Sequence, residues 1–195
     1  MPRASGGGDR QARGGEGGLA PTRGTIEGAR RAYAEELRAT AAVRWQAVVE
    51  AFATVPRERF LGPGPWRIRS PSHPTRSSSI KNPQSVYRDA LVVLDAARGI
   101  NNGQPSLWAQ LLDHLLVSAG ESVLHLGCGT GYYSAILAEL TGPQGTVTAV
   151  EIDDRLAAMA RTALEPWPQA RVVAADGAAY PPGPRDAIVA SAGVS

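Results

Sequence analysis

The spacing of apolar side chains changes character twice along the chain. Residues 1–24 are mostly Gly, Arg, Ala and Ser, interrupted by Asp9 and Glu16, with almost no large apolar side chain. Such a segment cannot bury enough surface to offset its ordering entropy, and it is predicted to be a disordered tail. From Ile26 to Thr54 the pattern becomes helical: Tyr33, Leu37, Val43, Val48, Val49 and Phe52 recur at roughly three- and four-residue steps. That predicts two helices or one bent helix, ended by Pro56. The Pro- and Ser-rich stretch from about Gly62 to Pro83 reads as a long loop. Val86 to Leu94 reads as extended or mixed, and Gly99 to Pro105 as a polar turn. A helix beginning at Ser106 would place Leu107, Leu111, Leu112, Leu115 and Leu116 on one broad apolar face, with Trp108 in the core and Gly120 as its stop.

From Ser122 onward, short apolar runs alternate with helical stretches. The pattern predicts strands at 122–126, 146–151, 171–175 and 186–190, with helices at 132–140 and 153–164. Alternation of this kind implies an α/β fold, a Rossmann-like doubly wound parallel sheet with ligand sites at the carboxyl ends of its strands. The expected organisation is a tail over 1–24, a helical, substrate-side region over 25–120, and a cofactor-binding half-domain over 121–195. The fourth strand would be an apolar edge with unpaired backbone groups. Either the chain is a truncated form, or a partner or a second copy covers that edge.

The candidate chemistry lies where the first of these strands ends. Val123 to Leu126 runs into three glycines spaced two apart, Gly127, Gly129 and Gly131, and a helix follows at once. Glu151 closes the second strand, twenty residues beyond Gly131. Strand, glycine turn, helix, strand and acid is the plan of a nucleoside-cofactor site, where the acid accepts the ribose hydroxyls. The third glycine comes one residue too early for a dinucleotide loop, and Tyr132 stands in its place. The spacing instead resembles the S-adenosylmethionine site of class I methyltransferases. A third apolar run, Ala170 to Ala175, ends in Asp176-Gly177, where such enzymes commonly hold the adenine amino group.

Composition narrows the alternatives. The 195-residue chain carries a net charge of +2, and Lys81 is its only lysine. The arginines are scattered with a modest excess at the N-terminus, so no nucleic-acid stripe is indicated. Cys128, the single cysteine, cannot form an internal disulfide or a Cys-based metal site, and reads as a small packing residue inside the glycine turn. His73, His114 and His125 lack metal-ligand spacing, so no metal is expected. No apolar run approaches the roughly 18 residues of a membrane span, and the N-terminus lacks a signal core. The expectation is a cytoplasmic protein with no membrane contact.

Several further motifs resemble those of the protein-L-isoaspartate O-methyltransferases. Gly127-Cys-Gly-Thr-Gly-Tyr-Tyr-Ser-Ala-Ile-Leu-Ala is similar to that family's GTGSGYxxAxLA signature. Val55-Pro-Arg-Glu-Arg-Phe resembles VPRExF, Tyr87-Arg-Asp-Ala-Leu resembles YxDxxL, Gln104-Pro105 stands where the family has SQP or SAP, and Asp176-Gly177 matches DG. Order and rough spacing agree from about residue 43 to 194. The resemblance implies a class I methyltransferase sheet, incomplete at its C-terminus, that transfers a methyl group from S-adenosylmethionine to an isoaspartyl or aspartyl carboxylate of a protein or peptide. His125, Gly127, Cys128, Gly129, Gly131, Tyr132, Glu151, Ile152, Asp176 and Gly177 are then expected at the cofactor, and Asn102, Gly103 and Gln104 at the acceptor.

Two positions depart from the family pattern. Gly103 replaces the serine that helps hold the substrate carboxylate, and His125 replaces the acid two residues before the glycine turn. Loss of that serine fits a related branch that methylates aspartate in ribosomally made peptides. The other readings are a methyltransferase of another acceptor such as rRNA, and a truncated non-catalytic cofactor-binding domain. The Asp/Asn-Pro-Pro-Tyr motif of amino-group methyltransferases is absent, since Ser191-Ala-Gly-Val-Ser follows the fourth strand. A carboxylate acceptor is already a nucleophile at neutral pH, so no general base is required. The carboxamides of the turn Asn101 to Gln104 are suited to donate to it. Asn102-Gly103 is also the dipeptide most prone to deamidate through a succinimide. Arg57 and Arg59 read as solvated surface charges.

Overall fold

The computed structural model describes residues 24–70 and 73–191; the predicted disordered tail lies outside them, apart from Gly24. The helical pattern after Thr25 resolves into two helices, α1 (Ile26–Thr40) and α2 (Gln46–Thr54). Thr25 caps α1 by accepting from the Gly28 N–H at 3.0 Å. The α2 N-terminus borrows its cap from elsewhere in the chain. Asp113, on α3 (Pro105–Leu115), accepts from the backbone N–H groups of Arg44 and Trp45 at 2.9 and 2.6 Å. A 3-10 turn at Arg57–Phe60 follows Pro56.

The expected loop from Gly62 to Pro83 is instead mostly strand. β1 (Trp66–Ser70) pairs antiparallel with β2 (His73–Ile80) and, on its other side, with β3 (Leu91–Asp95), to which β4 (Ile100–Asn101) is added. Local composition misleads here because β2 lies at the edge of this sheet, where backbone pairing with β1 builds the strand. The region 25–120 is therefore mixed, with an antiparallel sheet of its own, and the polar turn at 99–105 begins with a short strand.

In the C-terminal part the pattern and the structure agree closely. β5 (Ser122–Leu126), α4 (Tyr132–Thr141), β6 (Thr146–Glu151), α5 (Asp154–Ala163), β7 (Ala170–Ala174) and β8 (Ala187–Ala190) follow in order. Among the described residues the strands form a parallel sheet of order β7-β6-β5-β8, with β5 and β6 in the middle. Central parallel strands are buried on both faces, which is why Val123, Leu124, Val147, Ala149 and Val150 form near-continuous apolar runs. Among the described residues β8 pairs with β5 alone and stands at an edge, with Ile188 exposed.

One apolar core joins the two parts, running from Tyr33 on α1 through Phe52, Phe60 and Trp108 to Ile136 and Trp167. On α3, Trp108 and Leu112 face inward as expected, but the other leucines of the expected apolar face do not. Trp108, Ala109 and Leu112 are buried, while Leu107, Leu111, Leu115 and Leu116 are 52%, 50%, 37% and 58% exposed. Helical periodicity alone does not distinguish two adjacent apolar stripes, and the tertiary contacts select the one that carries Trp108. Among the described residues no helix is long and apolar enough to cross a membrane.

Candidate functional site: the glycine turn and the acceptor turn

The glycine turn leaves the carboxyl end of β5 and is fixed to the neighbouring strand. Gly127 and Cys128 donate their N–H groups to Val150 O at 2.8 and 3.0 Å. Gly129 donates to Glu151 Oε2 at 2.7 Å, and the other carboxylate oxygen accepts from Asp153 N at 3.0 Å. Glu151 is 6% exposed and is held rigid at the end of β6 by these two bonds. The turn glycines have positive φ, +71° at Gly127, +59° at Gly129 and +91° at Gly131, a region that side chains with a Cβ adopt at a cost. A Cβ at Gly131 would meet Leu164 Cδ1 at 3.0 Å, whereas at Gly129 it would meet nothing within 4 Å. Gly131 is therefore required for packing α4 against α5, and Gly129 faces open space. Beside it Ile152 is 67% exposed, and Asp176 is an exposed carboxylate just beyond β7. A Cβ at Gly177 would rest against Leu126 at 3.5 Å.

Cys128 is buried, and its thiol is pushed up to about 12 by burial and by the nearby Glu151 charge. That suits a packing residue and not a nucleophile. His125 is fully buried between two serines: its Nδ1 lies 2.8 Å from Ser134 Oγ, and its Nε2 lies 2.9 Å from Ser191 Oγ. Ser191 Oγ donates to Gly127 O at 2.5 Å. The hydroxyl is therefore the acceptor for a proton on Nε2, and Nδ1 accepts from Ser134. Burial lowers the imidazole from 6.5 to about 4, keeping it neutral. His125 thus ties the end of β8 to the glycine turn. Ser191 does not stand out in the sequence, because it lies 66 residues from His125.

The acceptor turn is built differently from the sequence expectation. Asn101 closes it by accepting from Gly103 N at 2.9 Å. Asn102 is 8% exposed and points inward; its Oδ1 accepts from Val92 N at 2.8 Å and from Arg57 Nη2 at 3.3 Å. Gln104 Nε2 donates to Ser106 Oγ at 2.9 Å and reaches Asp89 Oδ2 at 3.4 Å. Gln104 Nε2 is thus engaged in building the turn, and Asn102 points inward with its Oδ1 engaged and its Nδ2 buried without a partner among the described residues, so neither carboxamide stands exposed as the expected donor to an acceptor.

Arg57 reverses its expectation altogether. It is fully buried, donates to Val86 O, Arg88 O and Ala90 O at 2.7, 2.8 and 2.7 Å, and lies over the rings of Tyr33 and Tyr132. Arg59 closes the C-terminus of α5 by donating to Ala163 O at 2.7 Å. Asp89 supplies α3 with a cap from outside the helix, accepting from Ser106 N at 2.9 Å.

The aromatic side chains complete the site. Tyr133, in the first turn of α4, stacks on Trp108 with ring centroids 4.1 Å apart and planes 8° apart. Its hydroxyl donates to Gly103 O at 3.2 Å, and Trp108 meets His125 edge-on at 5.3 Å. The two rings therefore bridge the glycine turn to the acceptor turn. Tyr132 points away into the core, against Phe52 and Phe60. A separate groove of about 630 Å³ lies between α5 and the Arg57–Phe60 turn; it shares Thr130 with the glycine turn but includes neither Glu151 nor Asp176. Among the described residues no group of three or more His, Cys, Asp or Glu side chains could hold a metal ion.

The family model described as protein-L-isoaspartate(D-aspartate) O-methyltransferase matches residues 72–195. The chain belongs to that family. A protein-L-isoaspartate O-methyltransferase of Ignicoccus hospitalis is 30% identical over 171 residues, covering 86% of this chain and 72% of the relative. The Aeropyrum pernix enzyme is 35% identical over 137 residues, covering 70% and 45%. A solved protein-L-isoaspartate O-methyltransferase superposes with a TM-score of 0.70 at 26% identity, over 85% of this chain and 48% of that one. A Plasmodium falciparum structure, solved with S-adenosyl-L-homocysteine, shares the fold with a TM-score of 0.64 at 15% identity. The chain thus spans between about half and three quarters of these relatives. The superposition makes the parallel sheet a class I methyltransferase sheet.

Proposed function

We propose that the chain is an S-adenosylmethionine-dependent carboxyl O-methyltransferase that acts on an aspartyl or isoaspartyl side chain of a protein or peptide in the cytoplasm. The observation that carries this reading is the Gly129–Glu151 pair. A carboxylate fixed by two backbone N–H groups at the end of β6 faces a turn whose middle glycine opens onto free space. Each carboxylate oxygen retains a lone pair for a ribose hydroxyl. The exposed Ile152 offers an apolar face to an adenine ring, Asp176 and Gly177 lie at the next strand end, and the backbone of Gly127 to Gly131, with Cys128 packed beneath, would line the methionine portion. Tyr132 supports that turn from the core side, and His125 steadies it through Ser191. These residues fit the cofactor.

When bound, the cofactor supplies a methyl group on a positively charged sulfonium. The chain's own tasks are alignment and exclusion of water. The acceptor carboxylate is ionised at neutral pH and needs no base. Gly103, walled by Trp108 and Tyr133, forms the floor of the acceptor side, and Asn102 and Gln104 hold that floor in shape. The edge strand β8 is the surface on which a partner, a second copy or a further segment would add.

Calorimetric titration with S-adenosylhomocysteine tests the cofactor half of the reading. Micromolar binding that is lost in Glu151→Ala supports it, and a folded protein that does not bind refutes it. Incubation with labelled cofactor and an aspartyl or isoaspartyl peptide tests the rest. A base-labile product that releases methanol is an ester, and a base-stable product would assign another acceptor.

A further inference from the structure

The indole N–H of Trp108 stands apart from the other core indoles. Trp66 donates its Nε1–H to Gly62 O at 3.0 Å, and Trp167 donates to Glu139 Oε1 at 2.6 Å. Trp108 is equally buried as a residue, at 5% exposure, yet its Nε1–H makes no hydrogen bond among the described residues and is not one of the fully enclosed unpartnered atoms, so its N–H edge is reachable. A buried indole normally satisfies that donor. The ring cannot turn to find a partner elsewhere, because it is clamped between the stacked Tyr133 and the edge of His125.

The position of this donor gives it a use. An ideal Cβ built on Gly103 would lie 2.9 Å from Trp108 Nε1, 3.2 Å from Cδ1 and 3.1 Å from Tyr133 Cε2. The N–H edge of the indole therefore occupies the space into which a side chain at position 103 would project. Gly103 itself has φ +76°, so both the backbone and the indole keep the position bare. Trp108 spans from the acceptor turn to His125 at the end of β5, beside the glycine turn. An acceptor approaching a methyl donor held by that turn meets this edge. Of the carboxamides of the acceptor turn, Gln104 Nε2 donates to Ser106 and Asn102 Nδ2 is buried inside the turn without a partner among the described residues, whereas the indole N–H faces the space beside Gly103.

We propose that Trp108 Nε1–H is the acceptor-carboxylate donor of this site, and that Gly103 is glycine so that the indole can reach this position. The inference rests on the carboxyl methyltransferase reading above and names its acceptor-binding residue. A single neutral N–H donor on an aromatic floor favours an acceptor recognised through one carboxylate and a flat, apolar flank.

The test uses the whole chain with Trp108→Phe, which keeps a ring against Tyr133 and removes the donor, and with Trp108→His, which restores a ring N–H. A hydrogen bond to a charged group is worth enough that its loss should raise the peptide KM roughly ten- to hundredfold. Turnover at saturation should change little, since the bond is made in ground and transition states alike. S-adenosylhomocysteine affinity and near-ultraviolet circular dichroism should match the unmodified protein, and Trp108→His should recover part of the peptide affinity. Gly103→Ser should mimic the loss by displacing the indole. A peptide KM unchanged in Trp108→Phe overturns the proposal and leaves the function standing. If the unmodified chain binds S-adenosylhomocysteine but esterifies no carboxyl peptide, the functional reading falls and takes this one with it.

Discussion

Replacing His125 by Gln should remove a specific part of the protein's acid sensitivity. The imidazole is buried between Ser134 and Ser191, with Trp108 against it in an edge-to-face contact and no carboxylate bonded to it among the described residues, so nothing compensates a positive charge. Its folded value of about 4 lies below the ordinary 6.5 of the unfolded chain. Between these values the unfolded state takes up a proton that the folded state refuses, so unfolding becomes easier as the pH falls. Above pH 6.5 both states are neutral and the group is silent. At pH 5 the linkage amounts to about 2 kcal/mol, and below pH 4 it levels off at about 3 kcal/mol. Carboxylates such as Asp186, held low by the Ser122 N–H and hydroxyl groups, contribute only at still lower pH, because their stabilisation persists until they protonate. The assay is urea unfolding at pH 7.5, 6 and 5. The native protein should lose about 2 kcal/mol more than His125→Gln between the extremes, whatever their difference at pH 7.5. Parallel pH profiles would refute the reasoning, since they would mean that the buried imidazole accepts its proton in place.

Three further outcomes follow from the same geometry. Gly131→Ala should destabilise the fold by about 2 kcal/mol through backbone strain and the contact with Leu164, whereas Gly129→Ala should cost less because its Cβ meets open space, yet weaken S-adenosylhomocysteine binding more; thermal unfolding and calorimetry on both variants check the contrast. Arg57→Leu should cost about 3–5 kcal/mol, since it strands the carbonyls of Val86, Arg88 and Ala90, and Arg57→Lys should recover only part of that loss; urea midpoints measure both. Cys128 should resist iodoacetamide at pH 8 in the folded protein and react fully in denaturant, as read by mass, because its thiol is held near 12.

The order of strands and helices from Ser122 to Ala190, the glycine turn and the acid at its partner strand are local features, and the sequence by itself determined them. A parallel strand buried on both faces must be a short apolar run. A turn with successive positive-φ positions requires glycine, and an acid ending the next strand falls beside that turn through the register of β5 and β6. The antiparallel sheet was not legible, because β2 is an edge strand rich in Ser with Thr, Arg and Pro, which lacks the apolar alternation that marks a half-buried strand and is held by backbone pairing with β1. Nor was the inward face of α3, where two leucine-bearing stripes compete and only the docking of Trp108 on Tyr133 decides between them. Arg57 and His125 show the same limit. A charged side chain in a 3-10 turn reads as solvated until three carbonyls from residues 86–90 close around it. A histidine in a strand reads as a substituted acid until Ser134 and Ser191 flank it. Burial and pairing of polar groups are made by residues far apart in the chain, so tertiary structure alone decided which of them shape the acceptor side.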